Sequence, residues 1–261
     1  MTVPAQASAV RIAWERRGSG EPLLLVHGLG YARWGWEPVA EGLAGEHEVV
    51  LFDNRGIGES DAPAGPYSVQ MMAEDAVAVL DAAGIGQAHL LGTSLGAMIA
   101  LKVALDWPER VGRLVLACAT PGGSGAAPMP DRTVRLMQEA ATLPQEVALR
   151  RFVENALGRE PDPALVDRIM EHRLATGQPP AAWAAQAAAG AAFDVGDRVG
   201  EIRAPTLVLT GDEDAVVDPR NSELLQERIP GSRLEIFPGA GHLFFWERPE
   251  QFVQVVSEFL R

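Results

Sequence analysis

"AHLLGTSLGAMIAL", residues 88–101, sets one serine between two glycines where one apolar run gives way to another. Ala88, His89, Leu90 and Leu91 read as a short buried strand, and residues 95–101 as a helix of small and apolar residues. A strand entering a helix through Gly-x-Ser-x-Gly is a nucleophile elbow. The bend is so sharp that Ser94 is expected in a strained backbone conformation, with its hydroxyl exposed above the sheet. A side chain at position 92 or 96 would collide with the adjoining strand and helix, which accounts for both glycines. Outside that context the same five residues would read as a helix N-cap, the serine bonding a free N–H.

A serine hydroxyl is a poor nucleophile near neutral pH, so a base must take its proton and a third group must orient the base. The chain has five histidines. His27 precedes Gly28 at a strand end, His47 stands in the polar stretch "GEHEVV", His89 opens the strand to Ser94, and His172 lies in a helical region. His242 alone occupies a Gly-rich loop directly after a strand, "EIFPGAGHLFFWERP", from which it can reach a hydroxyl at the carboxyl edge of the sheet. The third member should be a carboxylate at the end of another strand, and "TLVLTGDEDAVVD" offers Asp212, Glu213, Asp214 and Asp218. That cluster lacks the ligand spacing and turn glycine of a calcium loop. Asp214 is the choice, two residues past the carboxylate after the strand-end glycine, with Asp212 in reserve. Oxyanion donors are expected from the Leu95 N–H at the helix start and the Leu29 N–H in "HGLGYARWGW", where Gly28 and Gly30 let the backbone turn.

Composition bounds what such a site can serve. The chain has 261 residues, 47% of them hydrophobic, enough for one large α/β domain with a sizeable core. Its 22 basic and 35 acidic residues leave a net charge of −13. Such a surface repels phosphate backbones and anionic membranes, so neither nucleic acid nor membrane is expected as a partner. The single cysteine, Cys118, excludes an internal disulfide and any multi-cysteine metal site, and "RLVLACA" places it in a buried strand. The first twenty residues lack a continuous apolar stretch and no apolar run reaches 18, so a cytoplasmic location is expected.

Along the chain, "PLLLVHG" and "EVVLFDNRG" are short apolar runs ending in Gly-containing turns, as strands covered on both faces would be. Residues 68–83 read as a helix capped by Ser68 and ended by Gly84. Strand and helix then alternate through "GRLVLACA", which implies a parallel sheet. After the Gly/Pro-rich "TPGGSGAAPMP" only helical segments appear, at roughly 131–141, 145–157, 163–175 and 181–192. "APTLVLTG" restores the strand pattern, followed by a helix near 219–228, the strand "RLEIFPG" and a helix at 249–260. The expected organisation is an α/β core of residues 1–120 and 201–261, interrupted by a helical cap at 121–200.

Together "HGLG" with "WEPV" from Trp36, "FDNRGIGESDAP" (52–63), "GTSLG", "WPERVGRLVL" (107–116), "PTLVLTGDEDAVV" and "IPGSRLEIFPGAGH" resemble the α/β-hydrolase superfamily across essentially the whole chain. The stretch from Asp53 through "GPYS" most resembles its single-domain esterases and the enol-lactonases of aromatic degradation. The superfamily resemblance implies a mostly parallel, doubly wound sheet with a helical cap inserted after the sixth strand. It also implies an oxyanion N–H at the residue after His-Gly, matching Leu29, and a triad acid at Gly-x-x-Asp, matching Asp214. Arg55, Gly56, Gly58 and Ser60 would shape a turn, and Trp36 would be a packing residue. Serine at the nucleophile position departs from the dehalogenase and epoxide hydrolase branches, which place aspartate there.

The expected function is hydrolysis of small to medium apolar carboxylic esters by Ser94, His242 and Asp214, with no metal or organic cofactor. The expected partner is a small-molecule ester or lactone, with a homodimer left open. Trp34, Met98, Met137, Phe152, Trp183 and Leu243 are the expected lining of an apolar substrate cleft. Cap arginines such as Arg132, Arg135, Arg150 and Arg151 could receive a substrate carboxylate, which would favour an enol-lactone of a dicarboxylic acid. Two alternatives remain: an enol-lactonase, carbon–carbon hydrolase or perhydrolase with the same triad, and a ligand-sensing protein that keeps the fold but works by binding.

Overall fold

Leu23, Leu24, Leu25 and Val26 are all fully buried, yet alternate side chains of a strand point to opposite faces. Leu24 and Val26 join one apolar cluster, and Leu23 and Leu25 join another. A strand with this pattern must lie in the middle of a sheet covered on both sides. Each such side chain contributes about 1.5–3 kcal/mol relative to exposure.

A computed structural model of the chain describes residues 2–4, 10–140 and 142–261. Its strands are β1 (Thr2–Pro4), β2 (Arg11–Arg17), β3 (Glu21–Val26), β4 (His47–Phe52), β5 (Ala88–Thr93), β6 (Val111–Ala117), β7 (Thr206–Gly211) and β8 (Arg233–Phe237). Its helices are α1 (Glu37–Ala44), α2 (Val69–Ala83), α3 (Leu95–Asp106), α4 (Asp131–Ala140), α5 (Gln145–Asn155), α6 (Pro163–Ala175), α7 (Pro180–Ala191), α8 (Arg220–Arg228), α9 (Phe244–Glu247) and α10 (Pro249–Leu260). The last residue of the helix expected over 131–141 lies outside the described residues.

The eight strands run in the order β1-β2-β4-β3-β5-β6-β7-β8. The pairs β1–β2 and β2–β4 are antiparallel and every other pair is parallel. In register, Val26 faces Gly92, Thr93 faces Ala117, Ala117 faces Leu209 and Gly211 faces Phe237. The carboxyl ends of five parallel strands therefore open onto one edge, where the loops carrying residues 27–31, 94, 118, 212–218 and 238–243 emerge.

The local signals act as their chemistry requires. Ser68 Oγ accepts the Met71 N–H at 3.2 Å to cap α2, and Gly84 ends it in the left-handed region at φ 74°. The antiparallel β2 and the short α1 gave no clear pattern in the sequence. Only Ile12, Ala13 and Trp14 of β2 are buried before charge takes over, and Pro38 and Gly42 interrupt the helical pattern of α1. Gly42 allows α1 to lie against Val253 of α10.

Helices α4 to α7 occupy the chain between β6 and β7, after the sixth strand. They are tied to the sheet layer at several points. Gln186 Nε2 donates to the Arg55 carbonyl at 2.6 Å, Arg168 meets Glu37 at 2.6 Å, and the Trp34 and His172 rings stack at 4.8 Å. The 55–60 turn is built as expected of it: Arg55 forms a buried pair with Asp75 at 2.6 Å, and Gly56 and Gly58 take positive φ. Ser60 Oγ donates to the Asp53 carbonyl at 2.5 Å.

Candidate active site

At the strand-to-helix corner Ser94 adopts φ 55° and ψ −121°, one of two described non-glycine residues at positive φ. Such a conformation costs about 1–3 kcal/mol and persists only where its surroundings impose it. They do so here by close approach. A Cβ on Gly92 would land on the Gly96 carbonyl, and one on Gly96 would land on the Val26 carbonyl. One on Gly28 would lie 2.9 Å from Ser94 Cβ, so the turn after β3 lies directly against the serine. Ser94 is half-buried, and its hydroxyl makes no hydrogen bond to a protein group among the described residues.

His242 Nδ1 lies 2.7 Å from Asp214 Oδ2, both groups buried. Asp214 Oδ1 accepts the Val216 and Val217 N–H groups at 2.7 and 2.9 Å, which fixes the carboxylate. The other members of the acidic cluster are engaged elsewhere. Asp212 accepts the Gly239 N–H at 2.6 Å, Glu213 accepts that of Arg159 at 2.7 Å, and Asp218 pairs with Arg220 at 2.6 Å. With Nδ1 turned to Asp214, Nε2 is the ring nitrogen left to exchange protons.

The loop bearing His242 is held on three sides. Glu247 accepts the Gly241 N–H at 2.8 Å with one oxygen and the Gly158 N–H at 2.9 Å with the other. Gly241 packs on the Leu157 backbone, where any side chain would collide. Cys118, itself at φ 49°, donates its thiol to the His242 carbonyl at 2.9 Å. The ligand atoms of Cys118, Asp214 and His242 all lie within 4.8 Å of one another. Burial pushes the Cys118 thiol well up, and the histidine and carboxylate are bonded to each other, so the trio is poorly suited to a metal ion. None of these supports left a signal in the sequence, because each joins groups far apart along the chain.

The Leu29 and Leu95 N–H groups have no hydrogen-bond acceptor among the described residues. Leu95 opens α3, so its N–H points out of the helix end. Beside them His27 is buried, its Nδ1 accepting the Gly28 N–H at 2.7 Å. Burial, with smaller contributions from the charges of His242 and Arg173, lowers its pKa to about 3, so it stays neutral. The His27 ring stacks on Tyr31 at 4.7 Å, and Arg173 of α6 covers that tyrosine ring at 4.9 Å.

Of the six residues expected to line a cleft, Leu243 belongs to one apolar cluster with Trp34 packed against it, and Met98 packs against the other. Leu243 is buried in the core, Trp34 is stacked on His172, and Met98 is half-buried under Gly190 of α7. Phe152 is half-buried on α5, while Met137 and Trp183 are 47% and 37% exposed. A cleft of about 470 Å³ between the 56–62 turn and residues 177–179 touches none of them, nor Ser94, Asp214 or His242. No described helix is long and apolar enough to cross a membrane.

The family described as alpha/beta hydrolase fold matches residues 21–249. The chain belongs to that family. It is 32% identical, over 97% of its length and 92% of the relative's, to a 2-hydroxy-6-oxo-6-phenylhexa-2,4-dienoate hydrolase of Burkholderia cepacia. Among solved structures it superposes on an esterase from Exiguobacterium antarcticum with a TM-score of 0.88 at 27% identity, covering 100% of this chain and 99% of that one. A thermophilic esterase from Thermogutta terrifontis gives a TM-score of 0.85 at 28% identity, covering 100% and 97%.

Proposed function

We propose that the protein is a serine hydrolase that cleaves carboxylic esters through an acyl-enzyme. The observation that carries this reading is the sealed 2.7 Å His242–Asp214 bond at the sheet edge where Ser94 is held at φ 55°. Ser94 Oγ attacks the ester carbonyl as His242 Nε2 takes its proton, and Asp214 holds the ring and stabilises the imidazolium. The oxyanion is received by the Leu29 and Leu95 N–H groups, a donor pair of which each member is worth about 10²–10³ in turnover. His242 protonates the departing alcohol, then activates the water that releases the acid. A serine–imidazole hydrogen bond commonly tightens only with substrate bound, so the proton transfer needs no preformed Ser94–His242 bond. In this reading residues 121–200 act as the cap over the acyl group. The two esterase likenesses support it.

Fluorophosphonate labelling tests the mechanism, with the adduct mapped by mass spectrometry, alongside turnover of 4-nitrophenyl acetate, butyrate and octanoate. An adduct at Ser94 and ester turnover are expected. Absence of both would remove the reading. The 32% identity to the Burkholderia cepacia enzyme favours a second one, carbon–carbon bond hydrolysis by the same triad. Faster cleavage of a 2-hydroxy-6-oxo-dienoate than of any ester in the panel would select it.

A further inference from the structure

Helices α4 and α5 turn their arginines outward. Arg132 and Arg135 are exposed, and Arg150 and Arg151 are closed in exposed pairs with Asp167 at 2.5 Å and Glu139 at 2.9 Å. What the two helices turn inward is Thr133 and Asn155, both buried. Asn155 Nδ2 donates to Thr133 Oγ1 at 2.7 Å, and the Thr133 hydroxyl donates to the Ala215 carbonyl. A hydroxyl has one proton, so the second bond fixes the direction of the first. Asn155 Oδ1 is then left buried without a partner among the described residues. Burying an unpaired acceptor costs stability, so the fold alone gives no reason to keep an amide there. The Ala215 carbonyl and the Val216 N–H belong to one planar peptide unit. Gripping the carbonyl at one end of that plane sets the direction of the N–H at the other. The Val216 N–H donates to Asp214 Oδ1 at 2.7 Å, and Asp214 Oδ2 faces His242 Nδ1 at 2.7 Å. From Asn155 to Asp214 every donor points the same way, and hydrogen bonds aligned like this polarise one another. The next residue binds the other loop: the Ala156 carbonyl accepts the Leu243 N–H at 2.8 Å. Residues 155 and 156 therefore bridge the loop of the acid and the loop of the base.

We propose that Thr133 and Asn155 are positioning residues for the triad: they orient the Ala215–Val216 peptide, and through it the carboxylate that holds His242. This rests on the hydrolase reading above. The helical segment that the same reading places over the acyl group thereby also serves the proton relay. Both residues act through the Asp214 carboxylate, so their loss should slow the chemical step and leave substrate binding alone.

Thr133→Val keeps the branched shape and removes the hydroxyl. It should lower kcat on 4-nitrophenyl butyrate by about ten- to a hundredfold, with KM within about twofold of the parent. Thr133→Ser, which keeps the hydroxyl, should recover most of the loss. Combining Thr133→Val with Asn155→Leu removes both polar partners, so Tm should stay close to the parent while kcat falls as far as in Thr133→Val alone. The proposal is overturned by a Thr133→Val kcat within about threefold of the parent, by an equal loss in Thr133→Ser, or by losses that follow Tm. The His242 Nδ1 proton resonance of the Ser94→Ala protein reads the same relay without turnover. It should persist with Thr133→Ser and be shifted or broadened away by Thr133→Val. A resonance unchanged by Thr133→Val overturns the proposal, whereas its loss upholds it even if no ester is cleaved and the hydrolase reading fails.

Discussion

His242 and Asp214 are 28 residues apart in sequence, and their side chains meet at 2.7 Å across the ends of β7 and β8. Two further bonds from the Val216 and Val217 N–H groups hold the carboxylate, so its orientation is set before any ligand arrives. A carboxylate fixed this way selects the tautomer with Nε2 free, the arrangement a general base requires.

That geometry separates two neighbouring aspartates. Asp214→Asn should lower kcat by about 10⁴-fold by favouring the wrong tautomer. Asp212→Asn should cost no more than about tenfold, because Asp212 only anchors the Gly239 turn. Steady-state kinetics on a 4-nitrophenyl ester decides, and a reversed order of damage would reassign the acid.

Ser94→Ala should reduce ester turnover by about 10⁴-fold or more, with circular dichroism and Tm close to the parent. The hydroxyl bonds to no protein group among the described residues, so its removal leaves no broken partner. Turnover within tenfold of the parent would end the nucleophile assignment.

Gly96→Ala tests the corner itself. Its Cβ would meet the Val26 and His27 carbonyls, both backbone atoms in a packed sheet end. A loss of about 1–3 kcal/mol is expected from such overpacking, read as a lower urea midpoint with unchanged slope. Stability equal to the parent would show that β3 and α3 are less closely packed than described.

His27 gives a pH dependence of known sign. Its pKa of about 3 in the folded chain lies below its ordinary 6.5, so the unfolded chain binds the extra proton between those values. Its contribution is complete above about pH 6.5 and is lost on acidification toward 3, at about 1.4 kcal/mol per pH unit. His27→Gln should therefore flatten the fall in unfolding free energy between pH 6.5 and 4.5. Parallel curves for the two proteins would refute this.

Cys118 should resist modification. It is 1% exposed and burial raises its thiol pKa well above the usual value, so little thiolate is available. Ellman's reagent should react fully only in denaturant. Rapid labelling of the native protein would mean that the wall behind His242 opens.

The alternation of buried strand and helix was legible because it follows from local physics: Ser68 and Gly84 bound α2, and the run of 23–26 can only be a strand covered on both faces. The motifs at 92–96, 211–214 and 239–242 were equally plain, since close backbone approach demands glycine at fixed spacing. His47 was misleading. It stands in a polar stretch yet is buried at the start of β4, with the His89 ring 6.2 Å away between ring centres.

The sequence by itself determined the alternation of parallel strands and helices from β3 onward, α1 excepted, and the corner at Ser94, because each is written in neighbours a few positions apart. Only the tertiary structure decided which acid holds His242, and that Glu247 and Cys118 brace its loop. Those are choices among groups distant in the chain. They are settled by which loops the sheet register brings together and which charges find partners once there.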